Sequence, residues 1–228
     1  MATITTARQA IKFFYKDDPA LLPDVDVMVA KLGAQWNRTQ GSAPPERFKE
    51  LMIAAEREIK DRVAQSRVPI PCKAGCDHCC RFPEIRISAT EAVLVVRHIE
   101  QIMTPEDKAA FMASVQQSGT TGAGRNTACA LLGSAGCTVY PSRPLACRSY
   151  NSLSVADCQR YRESGGQTPE ILRTAVVVDS AAREVSRIYR HAKTYEMNAL
   201  LRRIFSDPNK VARWLDGSPD DEPDLVLR

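Results

Sequence analysis

The sequence predicts a mainly α-helical protein whose helices pack around an irregular, cysteine-rich segment. Three observations support this fold class. Apolar residues recur at helical spacing over long stretches on both sides of the segment. All eight cysteines fall between residues 72 and 158, where proline and glycine interrupt the regular patterns. Aromatic residues make up only 6% of the chain, which favours helix packing over a β-sandwich.

Two helices are expected before the cysteines begin. The first covers residues 24–37, where apolar side chains recur every three or four positions. The second covers residues 46–67, repeats this pattern and follows a pair of prolines that suits a helix start. Pro69 and Pro71 prevent the second helix from continuing, because proline lacks the backbone N–H that a helix needs.

The first group of cysteines lies in a predicted loop over residues 69–83, which also contains three prolines and one glycine. Ser88 and Glu91 then form the pattern of a capping box, which predicts a helix over residues 89–103. A proline at the first helical position predicts a further helix over residues 105–118.

The second half of the chain alternates between irregular and periodic stretches. We expect a flexible loop over residues 119–127 and irregular structure or short strands over residues 128–150. Apolar periodicity between residues 168 and 200 indicates one helix or two helices in tandem. A short final helix is expected to carry Trp214, and the acidic stretch over residues 216–228 is expected to be a mobile tail.

Length and charge set limits on the class of protein. We expect one domain over residues 1–228, with the cysteine-rich module at about 70–160. The net charge of +4 comes without a dense basic run, so nucleic acid is not an expected partner. No stretch approaches the roughly 18 apolar residues of a membrane span, so no membrane association is expected. The sequence indicates no particular protein partner.

The compartment bears on the chemistry of the cysteines. The first residues lack the apolar core of a secretory signal, which predicts a cytoplasmic location. Disulfides are rare in that reducing compartment, and clustered cysteines there are more often metal ligands or redox catalysts.

The spacing of the cysteines favours metal ligation. The candidate ligands are Cys72, Cys76, Cys79, Cys80, Cys129, Cys137, Cys147 and Cys158. Gaps of two or three residues let a tight loop aim successive sulfurs at one ion, about 2.3 Å from it. Gly75 suits such a loop, because glycine adopts backbone angles that other residues avoid. If the backbone is extended at Cys79 and Cys80, their side chains point to opposite sides, and one of them faces a different partner.

The sequence thus predicts a metal-binding segment without choosing the metal. Thiolate sets of this kind hold zinc or an iron–sulfur cluster, and four sulfurs suffice for either. We expect the later cysteines to fold back and complete the coordination, and eight sulfurs leave room for a second ion. Any single cysteine could instead be a buried core residue, but a loop rich in proline and glycine is not a core element. His78, between Cys76 and Cys79, is a further candidate, as a ligand or as a donor to one.

Two redox or radical chemistries compete for the same residues. Cys76 and Cys79 form a C-x-x-C, which is typical of thiol–disulfide exchange when a strand precedes it and a helix begins at it. Neither element is predicted here. The spacing is also similar to that of radical SAM enzymes, but those enzymes have an aromatic residue where His78 stands and a series of β/α units.

The cysteine motifs resemble those of a known family. The run from Cys72 to Cys80 and the block Tyr140-x-x-Arg143-Pro144-x-x-Cys147-Arg148 are similar to the YkgJ-type CxxCxxCC cysteine-cluster family, a zinc- or iron-chelating domain. The resemblance covers roughly residues 70–160. In this chain three residues, rather than two, separate Cys72 from Cys76.

The resemblance implies metal chelation and leaves open whether the protein is an enzyme. A flagellin lysine N-methylase with a similar cysteine block suggests one alternative, a SAM-dependent methyltransferase-like enzyme that uses an iron–sulfur centre. A zinc-based adaptor that binds nucleic acid or protein is the other. The candidate cofactor-binding residues are Tyr140, Arg143 and Arg148. The two arginines would offset the negative charge of thiolates, and the tyrosine hydroxyl would meet a carboxylate or a substrate.

Overall fold

The computed structural model of the protein describes residues 21–42, 44–82, 85–117, 128–187 and 194–207. The α-helices in these ranges are α1 (Leu22–Arg38), α2 (Pro44–Ala64), α3 (Ala89–Ile102), α4 (Pro105–Gln117), α5 (Leu145–Ser149), α6 (Val155–Ser164), α7 (Arg173–Arg187) and α8 (Met197–Ser206). The strands are β1 (Arg86–Ser88), β2 (Leu132–Gly133), β3 (Gly136–Cys137) and β4 (Thr194–Glu196). Single 3-10 turns cover His78–Arg81 and Tyr140–Ser142. The mainly α prediction is confirmed.

The first core is a bundle formed by α1, α2 and α7, called here the helical bundle. Each helix places an apolar stripe inward, including the fully buried Leu32 and Leu51. Helix α5, from the cysteine-rich region, adds the buried side chain of Leu145 to this core. The bundle therefore joins helices from both sides of the cysteine-rich region, and one short helix from that region packs on it.

The second core lies between α3, α4 and α8, beside a two-stranded sheet. Strand β1 pairs antiparallel with β4, so that Ile87 lies opposite Tyr195. Phe111 on α4 and Phe205 on α8 meet edge to face, with ring centroids 5.7 Å apart. Leu131 is also buried in this core. The cysteine segment, defined as residues 72–82 and 128–158, thus contributes side chains to both cores.

Glu91 connects the two cores at the start of α3. The Ser88 hydroxyl accepts a hydrogen bond from the Glu91 backbone N–H at 3.3 Å, and Glu91 Oε2 accepts one from the Ser88 N–H at 2.7 Å. The capping box predicted from the sequence is therefore present. The other carboxylate oxygen of Glu91 accepts a bond from the Leu145 N–H at 2.8 Å, which fixes the start of α5. The buried carboxylate therefore holds two helix starts in register.

The predicted helices correspond closely to α1, α2, α3 and α4. The periodicity over residues 168–200 divides into α7 and α8, with strand β4 directly before α8. Helix α6 and the pairing of β1 with β4 were not predicted. The expected loop over residues 119–127, the helix with Trp214 and the acidic tail lie outside the described residues. No helix among the described residues combines the length and the apolar character needed to cross a membrane.

Candidate metal centre

The first cysteines lie on a tight turn, as their spacing predicts. The Cys76 N–H donates a hydrogen bond to the Lys73 carbonyl oxygen at 3.1 Å, which closes the turn. Gly75 has a φ of 86°, a left-handed conformation that side-chain-bearing residues rarely adopt. The glycine therefore allows the chain to reverse between Cys72 and Cys76.

Cys79 and Cys80 lie in the 3-10 turn His78–Arg81, so the backbone at this pair is not extended. The interaction between these two neighbouring thiols raises the pKa of Cys79 and lowers the pKa of Cys80. Burial works in the opposite direction, whereas the positive charges of Arg81 and Arg143 also favour the Cys80 thiolate.

Cys80 is linked directly to the later cysteines. Its carbonyl oxygen accepts a hydrogen bond from the Cys129 N–H at 2.6 Å. Three residues beyond Cys129, Leu132 pairs with Cys137 across the β2–β3 hairpin. Cys147 lies on α5, whose start Glu91 fixes. Two stretches that are about 50 residues apart in sequence therefore meet, and the set Cys80, Cys129, Cys137 and Cys147 is called here the second cluster.

Burial dominates the electrostatics of the second cluster. It raises the pKa of Cys129 to about 12 and the pKa of Cys147 well above its ordinary value. Negative charge on Cys129, Cys80 and Cys137 raises the pKa of Cys147 further. A cation bound near these thiols would offset that repulsion.

Cys72, Cys76 and Cys158 form a separate group, called here the first cluster. The Ser152 N–H donates a hydrogen bond to the Cys72 sulfur at 3.2 Å. The Ser152 hydroxyl donates to the carbonyl oxygen of Ser154, the residue before α6, and the Ser152 side chain partly offsets the burial that raises the pKa of Cys158. Burial raises the pKa of Cys72, and negative charge on Cys76 and Cys158 adds to the increase. One buried serine therefore joins the loop that holds Cys72 to the helix α6 that holds Cys158.

Arg143 lies beside the second cluster with unused hydrogen-bonding capacity. Its guanidinium carbon is 4.2 Å from the centre of the Tyr140 ring, in a cation–π contact. Its Nε is buried and has no hydrogen-bond partner. The positive charge of Arg143 opposes the rise in the pKa of Cys137, whose main cause is burial. Tyr140 is 42% exposed, so the outer face of this contact is open to solvent.

Arg148 is buried and binds groups of the protein itself. It donates hydrogen bonds of 2.7 Å to the carbonyl oxygens of Arg143 and Pro141, and it forms a salt bridge with Glu56 on α2. Burial lowers the pKa of Arg148, although the nearby Glu56 carboxylate favours the charged form. Arg148 therefore holds the loop before α5 against the helical bundle and places positive charge near Cys137.

Three residues of the site were not among the predicted site residues. Glu91 gave a capping signal, but nothing in the sequence indicates its bond to Leu145. Ser152 gave no signal, because a lone serine in a loop has many roles. The ring of Tyr150 meets Phe82 at a centroid distance of 5.4 Å. Burial raises the pKa of Tyr150, and the thiols of Cys158 and Cys79 add to the rise.

The donor set fits zinc or iron, although its side chains are not gathered around one point. All eight cysteines are free thiols, and zinc and iron both bind thiolate sulfur. Two buried nitrogens in the cysteine segment, Nδ1 of His78 and Nε of Arg143, have no hydrogen-bond partner, which is common where a charged group binds. Across the described ranges, no three Cys, His, Asp or Glu side chains already form a group able to hold a metal ion. Coordination from these positions therefore requires rotation of the cysteine side chains about Cα–Cβ.

Comparison with known proteins identifies one domain. A family model described as "CxxCxxCC: Putative zinc- or iron-chelating domain" matches residues 71–175. The match contains all eight cysteines, together with α5, α6 and the start of α7. No curated protein and no solved structure matches the chain.

Proposed function

We propose that the protein binds zinc or iron through the thiolates of its eight cysteines, and the match of residues 71–175 to the CxxCxxCC family model supports this. The observation that carries the proposal is the hydrogen bond from the Cys129 N–H to the Cys80 carbonyl oxygen, 2.6 Å long. It joins the two cysteine-bearing stretches beside Leu131, which is buried in the second core. The ligands proposed are Cys72, Cys76, Cys79, Cys80, Cys129, Cys137, Cys147 and Cys158.

Thiolate ligands at these positions would need a compensating positive charge. Burial raises the pKa of several of the thiols, so the thiolates need a positive partner inside the protein. Arg143 and Arg148 supply part of that charge near Cys137. A bound cation supplies the rest, and proteins use thiolate-rich sites of this kind for zinc and for iron–sulfur clusters.

The residues of the chain have distinct roles in this proposal. The cysteines bind the metal, Arg143 offers a buried N–H toward thiolate charge, and Glu91 and Ser152 position the elements that hold the cysteines. Zinc bound by four thiolates would stabilise the fold, whereas an iron–sulfur cluster would supply electron transfer. A reducing compartment such as the cytoplasm suits either form, since the thiols are free.

Elemental analysis of the full chain tests the proposal. The protein is purified without oxygen and without chelator, and zinc and iron are measured per chain together with the visible absorption spectrum. We expect at least about one metal equivalent, because four thiolates suffice for one centre. A brown protein with visible absorption would identify iron, and a colourless one with zinc would identify zinc. Less than about a tenth of an equivalent of either metal would overturn the proposal.

Methyl transfer with an iron–sulfur centre and adaptor binding to nucleic acid or protein stay predictions from the sequence. A single domain over residues 1–228, with its module at about 70–160, also stays a proposal. Limited proteolysis of the metal-loaded protein tests it, since separate domains would yield a stable fragment.

A further inference from the structure

We infer that Glu56, on helix α2, is a positioning residue for the metal site: through the buried Arg148 it fixes where Cys147 lies. The inference rests on the proposed function and makes it more specific. Glu56 precedes the matched range of residues 71–175, so the metal-binding domain would depend on a side chain of the helical bundle. Arg148 and Cys147 are adjacent on α5, the short helix that packs against α2.

The guanidinium of Arg148 is enclosed by acceptors of the protein itself. Its Nε donates a hydrogen bond to the Arg143 carbonyl oxygen, and its Nη2 donates one to the Pro141 carbonyl oxygen, each at 2.7 Å. Its Nη1 lies 2.5 Å from Oε2 of Glu56, and the arginine side chain is only 4% exposed. All three nitrogens therefore have protein partners, as expected of a residue that shapes the loop before α5.

Glu56 is the partner that relates this loop to the rest of the fold. Arg143 and Pro141 belong to the same loop as Arg148, so the bonds to them shape the loop without placing it. Leu145 gives α5 an apolar contact with the bundle core, but apolar contacts have no preferred direction. A buried ion pair with a hydrogen bond does have one, so Glu56 sets the orientation of α5 on the bundle.

Loss of the Glu56 charge should displace α5, because the buried Arg148 charge would lose its carboxylate partner. The same carboxylate lies 3.4 Å from Lys60, but that lysine is 70% exposed and the pair contributes little. Cys147 is next to Arg148 on α5 and should move with it. Cys72 lies in a different loop and should stay in place.

Glu56→Gln and Glu58→Gln are matched variants of the full chain, since both make the same change on α2. Glu58 pairs with Lys31 on α1 at 2.5 Å, within the helical bundle. Competition with a chromophoric chelator measures zinc affinity. We expect Glu56→Gln to lower the affinity about tenfold, the usual size of effect for residues that orient metal ligands. Glu58→Gln should leave the affinity within about twofold of that of the unmodified chain.

Alkylation of the metal-free protein provides a readout that does not depend on metal. Mass spectrometry measures the reaction rates of Cys147 and Cys72 after chelation under reducing conditions. In Glu56→Gln we expect Cys147 to react at least about fivefold faster, because α5 opens more often. Cys72 should react at an unchanged rate, and Glu58→Gln should change neither rate.

Arg148→Lys separates placement from charge. Lysine keeps the positive charge but cannot present three nitrogens to three acceptors in the planar arrangement of arginine. We therefore expect this variant to lower zinc affinity and to speed Cys147 alkylation, as Glu56→Gln does. Far-ultraviolet circular dichroism reports whether each variant folds, and Arg148→Lys decides the matter if Glu56→Gln does not.

Three results would overturn the inference. They are an unchanged zinc affinity or Cys147 rate in Glu56→Gln, equal effects in Glu58→Gln, and full zinc affinity in Arg148→Lys. Less than about a tenth of a metal equivalent in the unmodified chain would instead overturn the proposed function. The alkylation rates would then still decide whether Glu56 fixes the position of Cys147.

Discussion

The helical bundle and the cysteine segment are stabilised by different forces. In the bundle, side chains such as Leu32 and Leu51 are almost completely buried, and apolar packing between α1, α2 and α7 accounts for the fold. In the cysteine segment, polar anchors predominate: Glu91 holds Leu145, Ser152 holds Cys72, and Arg148 binds backbone carbonyls. From this difference we expect the bundle to fold without metal. We expect order in the segment to depend on a few polar contacts and on what its thiols bind.

The largest expected effect is on the bundle alone. Leu51→Ala should lower the free energy of unfolding by about 2–5 kcal/mol, because it leaves a cavity in a packed core. Urea unfolding measures the change. The metal content of the folded fraction should stay the same, since Leu51 belongs to the bundle core. Val27→Ala is the control, because Val27 is 66% exposed and should change stability by less than about 0.5 kcal/mol. An equal loss in both variants would contradict this account of the bundle.

Glu91→Ala should affect both regions. The substitution removes the acceptor for the Ser88 and Leu145 N–H groups, which we expect to cost about 2–3 kcal/mol. Unlike Leu51→Ala, it should also weaken zinc binding in the folded protein, because α5 carries Cys147. Urea unfolding and a competition assay with a chromophoric chelator measure the two effects. Unchanged zinc affinity would show that Glu91 stabilises the fold without positioning the cysteine.

Arg143→Gln should affect the cysteine segment alone. We expect zinc affinity to fall roughly tenfold, since removing a charged donor beside metal ligands has effects of that order. Arg97→Gln is the matched control, because Arg97 pairs with Glu46 on a partly exposed surface of the helices. Arg143→Lys should recover part of the affinity through its charge. Equal affinities in Arg143→Gln and Arg97→Gln would exclude a role for Arg143 at the metal.

Ser152→Ala should have the smallest effect. The variant loses the hydroxyl bonds to the Ser154 backbone but keeps the backbone bond to the Cys72 sulfur. A net cost of about 1 kcal/mol in urea unfolding is expected for such a change. A decrease of more than about 3 kcal/mol in the free energy of unfolding would contradict this expectation. It would mean that the first cluster contributes more to the stability of the fold than a few polar contacts provide.

Sequence patterns predicted the parts of the fold that local forces determine. Helices α1 to α4 carry apolar periodicity or a capping signal, and their predicted limits lie within a few residues of those observed. Helix α6 was not predicted because its sequence shows almost no apolar stripe. Cys158 is the single buried residue of this helix. The side chain of Ser154 accepts a bond from the Asp157 N–H at 3.2 Å, and this Ser-x-x-Asp signal could have located the start of α6.

The candidate site was predictable in composition but not in arrangement. Short cysteine spacings indicate ligands, and Gly75 has the positive φ expected of it. The meeting of Cys80 with Cys129, and of Cys72 with Ser152, depends on contacts between residues far apart in sequence, which no local pattern specifies. The strand pair β1–β4 was missed for the same reason, since three-residue strands show little alternation.

Hydrogen exchange of the full chain, compared with and without metal, tests the central claim most directly. Amides of residues 72–82 and 128–158 should exchange at least about tenfold faster after chelation under reducing conditions, because their order depends on the thiols and their ligand. Amides of α1, α2 and α7 should exchange at unchanged rates. Equal exchange of the cysteine segment in the two states, or loss of protection in the helical bundle as well, would contradict the account.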